Sequence, residues 1–176
     1  MAAIPVKNPT LVKQIGNMNV QREKLDEAAT QTWLPNSLVT NTSGALVLVA
    51  TAGVLVYGLT PDGSHLSTDK PPVAFNGQTH WPFDLSNTEL EISVIGATRT
   101  LNATDAEWQD VTIGAQYGIY TETANTAGKA PKNTQMLDLS NTTNKLFTVL
   151  GPASDTVALT DTNVRVRVAL VPTTIQ

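Results

Sequence analysis

Residues 163–171 read NVRVRVALV. Val164, Val166, Val168 and Leu170 fall on one side of this run, Arg165 and Arg167 on the other. Side chains of a strand alternate between faces, so the run predicts a strand with one face in a core. Residues 89–95, ELEISVI, repeat the pattern, with Leu90, Ile92 and Val94 opposed to Glu89, Glu91 and Ser93. Residues 111–119 give a third strand that turns Val111, Ile113, Ala115, Tyr117 and Ile119 inward. Residues 146–150 add a fourth. Turn-bounded strands dominate after residue 40, and their spacing predicts an all-β fold: an antiparallel β-sandwich or barrel, jelly-roll-like.

Composition agrees. Only 15% of the 176 residues are charged, against about 25% in a typical globular chain, and 26 threonines and 13 asparagines fill the gap. Thr fits a pleated surface and Asn fits turns. The length suits one domain with a real core. No cysteine is present, which excludes a disulfide frame and thiolate chemistry. The net charge of −4 is uneven. Residues 1–30 hold four basic and three acidic residues, a net of +1; residues 31–176 hold seven basic and twelve acidic, a net of −5. A chain that packages nucleic acid needs a Lys/Arg-rich arm or patch, and none is seen, so no nucleic-acid partner is expected.

The division expected is residues 1–30 as an extended arm plus a short helix, and 31–176 as a single β domain. Pro5, Pro9 and Gly16 break any period in residues 1–18, leaving Ile4, Val6, Leu11, Val12 and Ile15 as scattered apolar groups. Such a stretch is either a floppy tail or an extended arm that lies on something; the second reading makes these five residues candidates for partner contact. No basic region followed by an apolar core opens the chain, so no signal peptide is expected. Residues 19–30, NVQREKLDEAAT, predict the one helix: Asn19 is a possible N-cap, and Met18, Leu25 and Ala29 share a side. Arg22, Glu23, Lys24, Asp26 and Glu27 make it the densest charge cluster, either a solvated face or, through Arg22 and Lys24, a salt-bridging contact to a neighbouring subunit.

Charge then vanishes from Ala28 to Pro61. Within that stretch GALVLVATAGVLVYGLT is too short and too broken to span a membrane as a helix. Two strands, about 45–50 and 54–59, turning at Thr51-Ala52-Gly53, fit better. Both are apolar throughout, as strands buried on both faces are. The second face is either an ordinary interior or a subunit interface. Val73-Ala74-Phe75 with Asn76-Gly77 suggests a short strand and a tight turn. Trp81-Pro82-Phe83 suggests either a core plug or an exposed platform, and Trp81 and Phe83 are the remaining contact candidates.

DLSNT occurs twice, at Asp84–Thr88 and Asp138–Thr142, and LVTNT at Leu38–Thr42 is a weaker third copy. Duplication, recurrent turn chemistry and biased composition all fit. Ser, Asn and Asp side chains bond nearby backbone groups in turns, which favours the second reading and makes the motif a launch point for strands.

No nucleophile elbow, zincin, P-loop or dinucleotide spacing is present, so no catalytic residue, cofactor or metal is assigned. His65 and His80 sit in predicted loops and read as surface residues. Asp105, Glu107 and Asp110 place three carboxylates close together, but not with EF-hand spacing.

An apolar, Pro-broken arm, MAAIPVKNPTLVKQIGNMNVQREKL, precedes an acidic, cysteine-free, Thr/Asn-rich β body with a VLVYGLTPDG segment. In outline this resembles the capsid decoration, or cement, proteins of tailed bacteriophages. The resemblance covers the whole chain in outline and carries over no residue role. It implies a non-enzymatic virion protein on the outer surface of the capsid, a homo-oligomer and often a trimer, bound to the major capsid protein. Other expectations the sequence permits are a tail or head–tail joining component, a small jelly-roll capsid subunit, or a carbohydrate-binding β-sandwich using Trp81 and Trp108.

Overall fold

The computed structural model describes residues 8–14, 21–28, 31–50, 54–64, 79–96, 110–123, 132–154, 156 and 164–176. The chain is all-β. Its strands are β1 Thr10–Gln14, β2 Leu25–Glu27, β3 Ser37–Thr42, β4 Ala45–Leu48, β5 Gly58–Thr60, β6 Thr79–His80, β7 Thr88–Ile95, β8 Gln116–Thr121, β9 Gln135–Asp138, β10 Phe147–Pro152 and β11 Arg165–Leu170. One sheet runs β1-β7-β11-β10-β8-β9, and β9 pairs again with β7. Five strands therefore close into a barrel, with β1 added on the outside of β7. A second sheet runs β5-β3-β4-β2-β6.

The alternating runs form the barrel wall. Leu90, Ile92 and Val94 of β7 and Val164, Val166, Val168 and Leu170 along β11 enter one core with Phe147, Val149, Tyr117 and Ile119. Burying such side chains is worth about 1.5–3 kcal/mol each. Leu38 and Leu59 of the second sheet, with Val49 and Val56 just outside its strands, join the same core, so the sheet lies against the barrel. Ile113 departs from its run: it is 60% exposed. It sits in a turn where Gly114, at φ +81°, reverses the chain before β8 begins.

The opposite face of β7 and β11 is not open to water at its centre. Glu91 and Arg165 are buried there and paired at 3.2 Å (Arg165 Nη1 to Glu91 Oε2). The Ser154 backbone N–H donates to Glu91 Oε1 at 3.1 Å, and Arg165 Nη2 donates to Thr10 Oγ1 of β1 at 3.0 Å. The more exposed Arg167 pairs with Glu89 at 3.3 Å.

The expected helix is overturned where the structure describes it, over residues 21–28. Gln21 bridges Phe83, and Leu25–Glu27 is strand β2, parallel to β4 and antiparallel to β6. The Arg22 N–H donates to Pro82 O at 2.8 Å and the Ala28 N–H to Leu46 O at 2.9 Å. A helix of about a dozen residues is marginal alone, so tertiary pairing of the same backbone groups wins. The spacing also fits alternation: Lys24 and Asp26 point out, Leu25 and Glu27 in.

The hairpin expected between residues 45–50 and 54–59 is corrected too. Strand β3 lies between β4 and β5 and pairs with both. LVTNT is thus a strand itself rather than a turn ahead of one. It joins β4 through Ser43 and Gly44, both at positive φ, the mirror-image turn that two-residue hairpins favour. Both faces of β3 are covered, whereas the double burial expected of residues 45–50 and 54–59 is incomplete: in β4 only Leu46 is buried, and Leu55 is 46% exposed. Leu38 faces the main core, while Val39 enters a smaller cluster with Trp33, Leu46 and Tyr57.

Two glutamine amides act as extra lengths of strand. Gln135, fully buried, accepts the Leu38 N–H at 2.7 Å and donates to Leu38 O at 3.0 Å and Val49 O at 2.8 Å, tying barrel to sheet. Gln176 accepts the Asn41 N–H at 2.9 Å and donates to Asn41 O at 3.0 Å at the surface.

The repeated DLSNT builds the same turn twice. Asp84 Oδ1 accepts the Ser86 N–H at 2.9 Å and its hydroxyl at 2.5 Å. Asp138 Oδ1 accepts the Ser140 N–H at 2.9 Å and its hydroxyl at 2.5 Å. The first copy does launch a strand, β7. The second ends β9 instead, and β10 begins only at Phe147. Its loop lies against Gly118, where an added Cβ would overlap the Asn141 side chain.

Candidate partner-binding surface

Of the nine residues singled out for partner contact, Ile4, Val6 and Ile15 lie outside the described residues. Leu11 is spent internally: half-buried on β1, it packs against the main core. Val12 lies at the irregular step of the β1–β7 ladder. Residues 10–14 of the expected arm therefore rest on their own chain. Asn8 fastens the entry to β1. Its Nδ2 donates to Pro35 O at 2.9 Å, and its Oδ1 accepts the Gln135 N–H at 2.9 Å.

The other four, Arg22, Lys24, Trp81 and Phe83, come together although about sixty residues separate the two segments. The residues from Gln21 to β2 run antiparallel to those from β6 to Phe83. Phe83 is the anchor. Its N–H donates to Leu59 O at 2.8 Å, it accepts from Leu59 N at 3.2 Å, and its ring packs on the core. Gly58 lets this strap sit close: a Cβ there would stand 2.6 Å from Phe83 O and 2.7 Å from Pro82 Cβ. Pro82 is buried, yet the neighbouring Trp81 is 51% exposed. Of the two readings of this tripeptide, Phe83 takes the core role and Trp81 the exposed one.

The Lys24 ammonium lies 5.1 Å from the Trp81 ring centroid, a cation–π distance. Beside it the Arg22 guanidinium lies 5.0 Å from the Tyr57 ring centroid. Arg22 Nη1 also donates to Gln176 O at 2.6 Å, and Nη2 pairs with Asp84 at 3.3 Å. Burial pushes the Tyr57 phenol up, so it stays a neutral hydroxyl and donates to Glu23 O at 3.3 Å. Tyr57, Asp84 and Gln176 were not singled out from sequence. Tyr57 was hidden in an apolar run, and only the DLSNT turn drew notice to Asp84.

Burial alone would raise the Asp84 carboxyl. The Ser86 hydroxyl and amide, then Arg22, outweigh it and hold it below the usual carboxylate range. A carboxyl lowered on folding stabilises above its unfolded pKa of about 4, and that contribution is lost as pH falls through the lower folded value. Asp84→Asn is therefore expected to cost about 1 kcal/mol at pH 7, a small figure because the site is partly solvated. Melting temperatures of the two proteins should converge in acid; a gap unchanged down to pH 2 would contradict this origin.

Features of other chemistries are sparse. His80, expected at the surface, is buried on β6, 3.1 Å from Glu27 Oε2 and edge-on to Trp33. Its neighbours β2 and Trp33 enclose it, which its polar sequence context concealed. His65, Trp108, Asp105 and Glu107 lie outside the described residues, and Asp110 is exposed. Among the described residues no group of three or more His, Cys, Asp or Glu could hold a metal ion. No helix among them is long and apolar enough to cross a membrane. An open groove of about 440 Å³ runs along Leu85–Glu89, Thr148, Leu150, Ala169, Leu170 and Pro172. No family model, curated protein or solved structure matches the chain.

Proposed function

We propose that this chain is a structural virion protein, a decoration protein on the outside of a tailed-phage head that stabilises contacts between major capsid subunits. Its role in this reading is mechanical, not catalytic. It works as a homo-oligomer, a trimer, with no cofactor, nucleic acid or membrane. One observation carries the reading: the way the N-terminal region is used. Residues 8–14 lie extended along the barrel, and residues 21–28 run into the second sheet and carry Lys24 over the exposed Trp81. The body beneath is acidic.

The test is to mix the purified full chain with undecorated heads of the phage that encodes it. Binding and a higher head-disruption temperature are expected, and an analytical ultracentrifuge should show a trimer. Removing residues 2–7 should weaken binding while leaving β1 and its Asn8 clasp in place. Removal up to residue 18 would delete a strand of the fold and is uninformative. Heads that neither bind the chain nor gain stability would sink the reading.

A further inference from the structure

We infer that Trp81 and Lys24 form the contact through which this chain grips its partner, and that the partner presents carboxylates around an apolar recess. The inference rests on the decoration reading and names the surface that meets the capsid. Trp81 is half exposed, but it is not on a free loop. The strap that carries it is fixed to Arg22 N on one side and to Leu59 N and O on the other, and is seated over Gly58. An exposed indole on a fixed backbone loses little freedom when it is covered, and that cost is what usually erodes interface affinity. Lys24 is ordered beforehand as well, by the indole under its ammonium.

The charge says what fits. Arg22, Arg165 and Arg167 each face a carboxylate of their own chain. Lys24 has the Trp81 ring instead, so its charge remains for a partner to answer. Arg22 and Tyr57 lie beside it, packed together and tied to Gln176 and Asp84. Trp and Arg are among the residue types that dominate protein interfaces, and the buried Tyr57 supports Arg22 from beneath. The indole enters the recess, and the ammonium meets the carboxylates at its rim.

Trp81→Ala, Lys24→Glu and, as a charge-matched control, Lys145→Glu in an exposed loop are compared with wild type on undecorated heads. Thermal melts check that each variant folds. Trp81→Ala and Lys24→Glu should each weaken binding about tenfold or more, and Lys145→Glu by less than about twofold. Wild-type binding should fall with added salt, and Lys24→Glu should lose that dependence. If wild type binds and both patch variants stay within twofold of it, the contact lies elsewhere and only this inference is overturned. If wild type does not bind, the decoration reading itself fails and takes the contact with it.

Discussion

Glu91→Ala is expected to cost about 3–5 kcal/mol, the largest effect of any single substitution considered. It takes the carboxylate away from a buried guanidinium, to which the Thr10 hydroxyl and the residue-91 carbonyl remain as neutral acceptors. Arg165 is 4% exposed and Glu91 8%, and their 3.2 Å contact lies where β7 meets β11. Removing the carboxylate also takes away the acceptor of the Ser154 N–H. The double variant Glu91→Leu/Arg165→Met should recover most of the loss, because an apolar pair can replace a buried ion pair at little cost. Urea denaturation of wild type, single and double variants measures both effects. A single variant within about 1 kcal/mol of wild type would show that water reaches the pair, since exposed ion pairs contribute no more than that.

Gln135→Ala should cost about 3 kcal/mol. The buried Leu38 N–H loses its acceptor, and two carbonyls lose a donor. Val49 O keeps the Thr121 hydroxyl at 3.1 Å, and Leu38 O keeps the Val49 N–H at 3.0 Å, which limits the damage. Gln135→Glu should be worse at neutral pH, because it sets a carboxylate oxygen against those two carbonyls. Gln176 makes the same pattern of bonds with Asn41, but at the surface. Gln176→Ala should therefore cost less than about 1 kcal/mol, since water can take the amide's place. Equal losses at the two sites would mean that burial does not set the value of the amide, contrary to this account.

The barrel was legible because its strands carry their own signal. In residues 89–95 and 164–170 alternation is continuous, and it marks a wall with one inner face. The second sheet was less so. Leu25–Glu27 has three residues of strand in a charged context, and its pairing partners lie far away in sequence, at Ala45 and His80. Local spacing cannot distinguish that from one turn of helix. Strand β3 was missed because Thr and Asn at its end look like a turn, and Ser43-Gly44 just beyond is where the turn is. Arg22, Lys24, Trp81 and Phe83 were each visible as charged or aromatic outliers. That they meet was not, because their meeting depends on the β2–β6 pairing.

The ring of five strands is closed unevenly. Strand β7 meets β11 from Arg165 to Ala169, but it meets β9 only at Val94–Leu137 and Ile95–Asp138, in parallel. One more bond, Leu139 N to Ile95 O at 3.1 Å, lies just past the end of β9. That junction is a short zip, and the ring has a second one where β10 meets β8 at Phe147–Tyr117 and Thr148–Gln116. Undone, the β7–β9 zip leaves an open sheet with its remaining pairings intact. The second DLSNT begins at the last tooth of that zip: Asp138 pairs with Ile95 while its carboxylate is bound to Ser140. What looks in sequence like a repeated word is, at this copy, the clasp that makes a sheet into a cylinder.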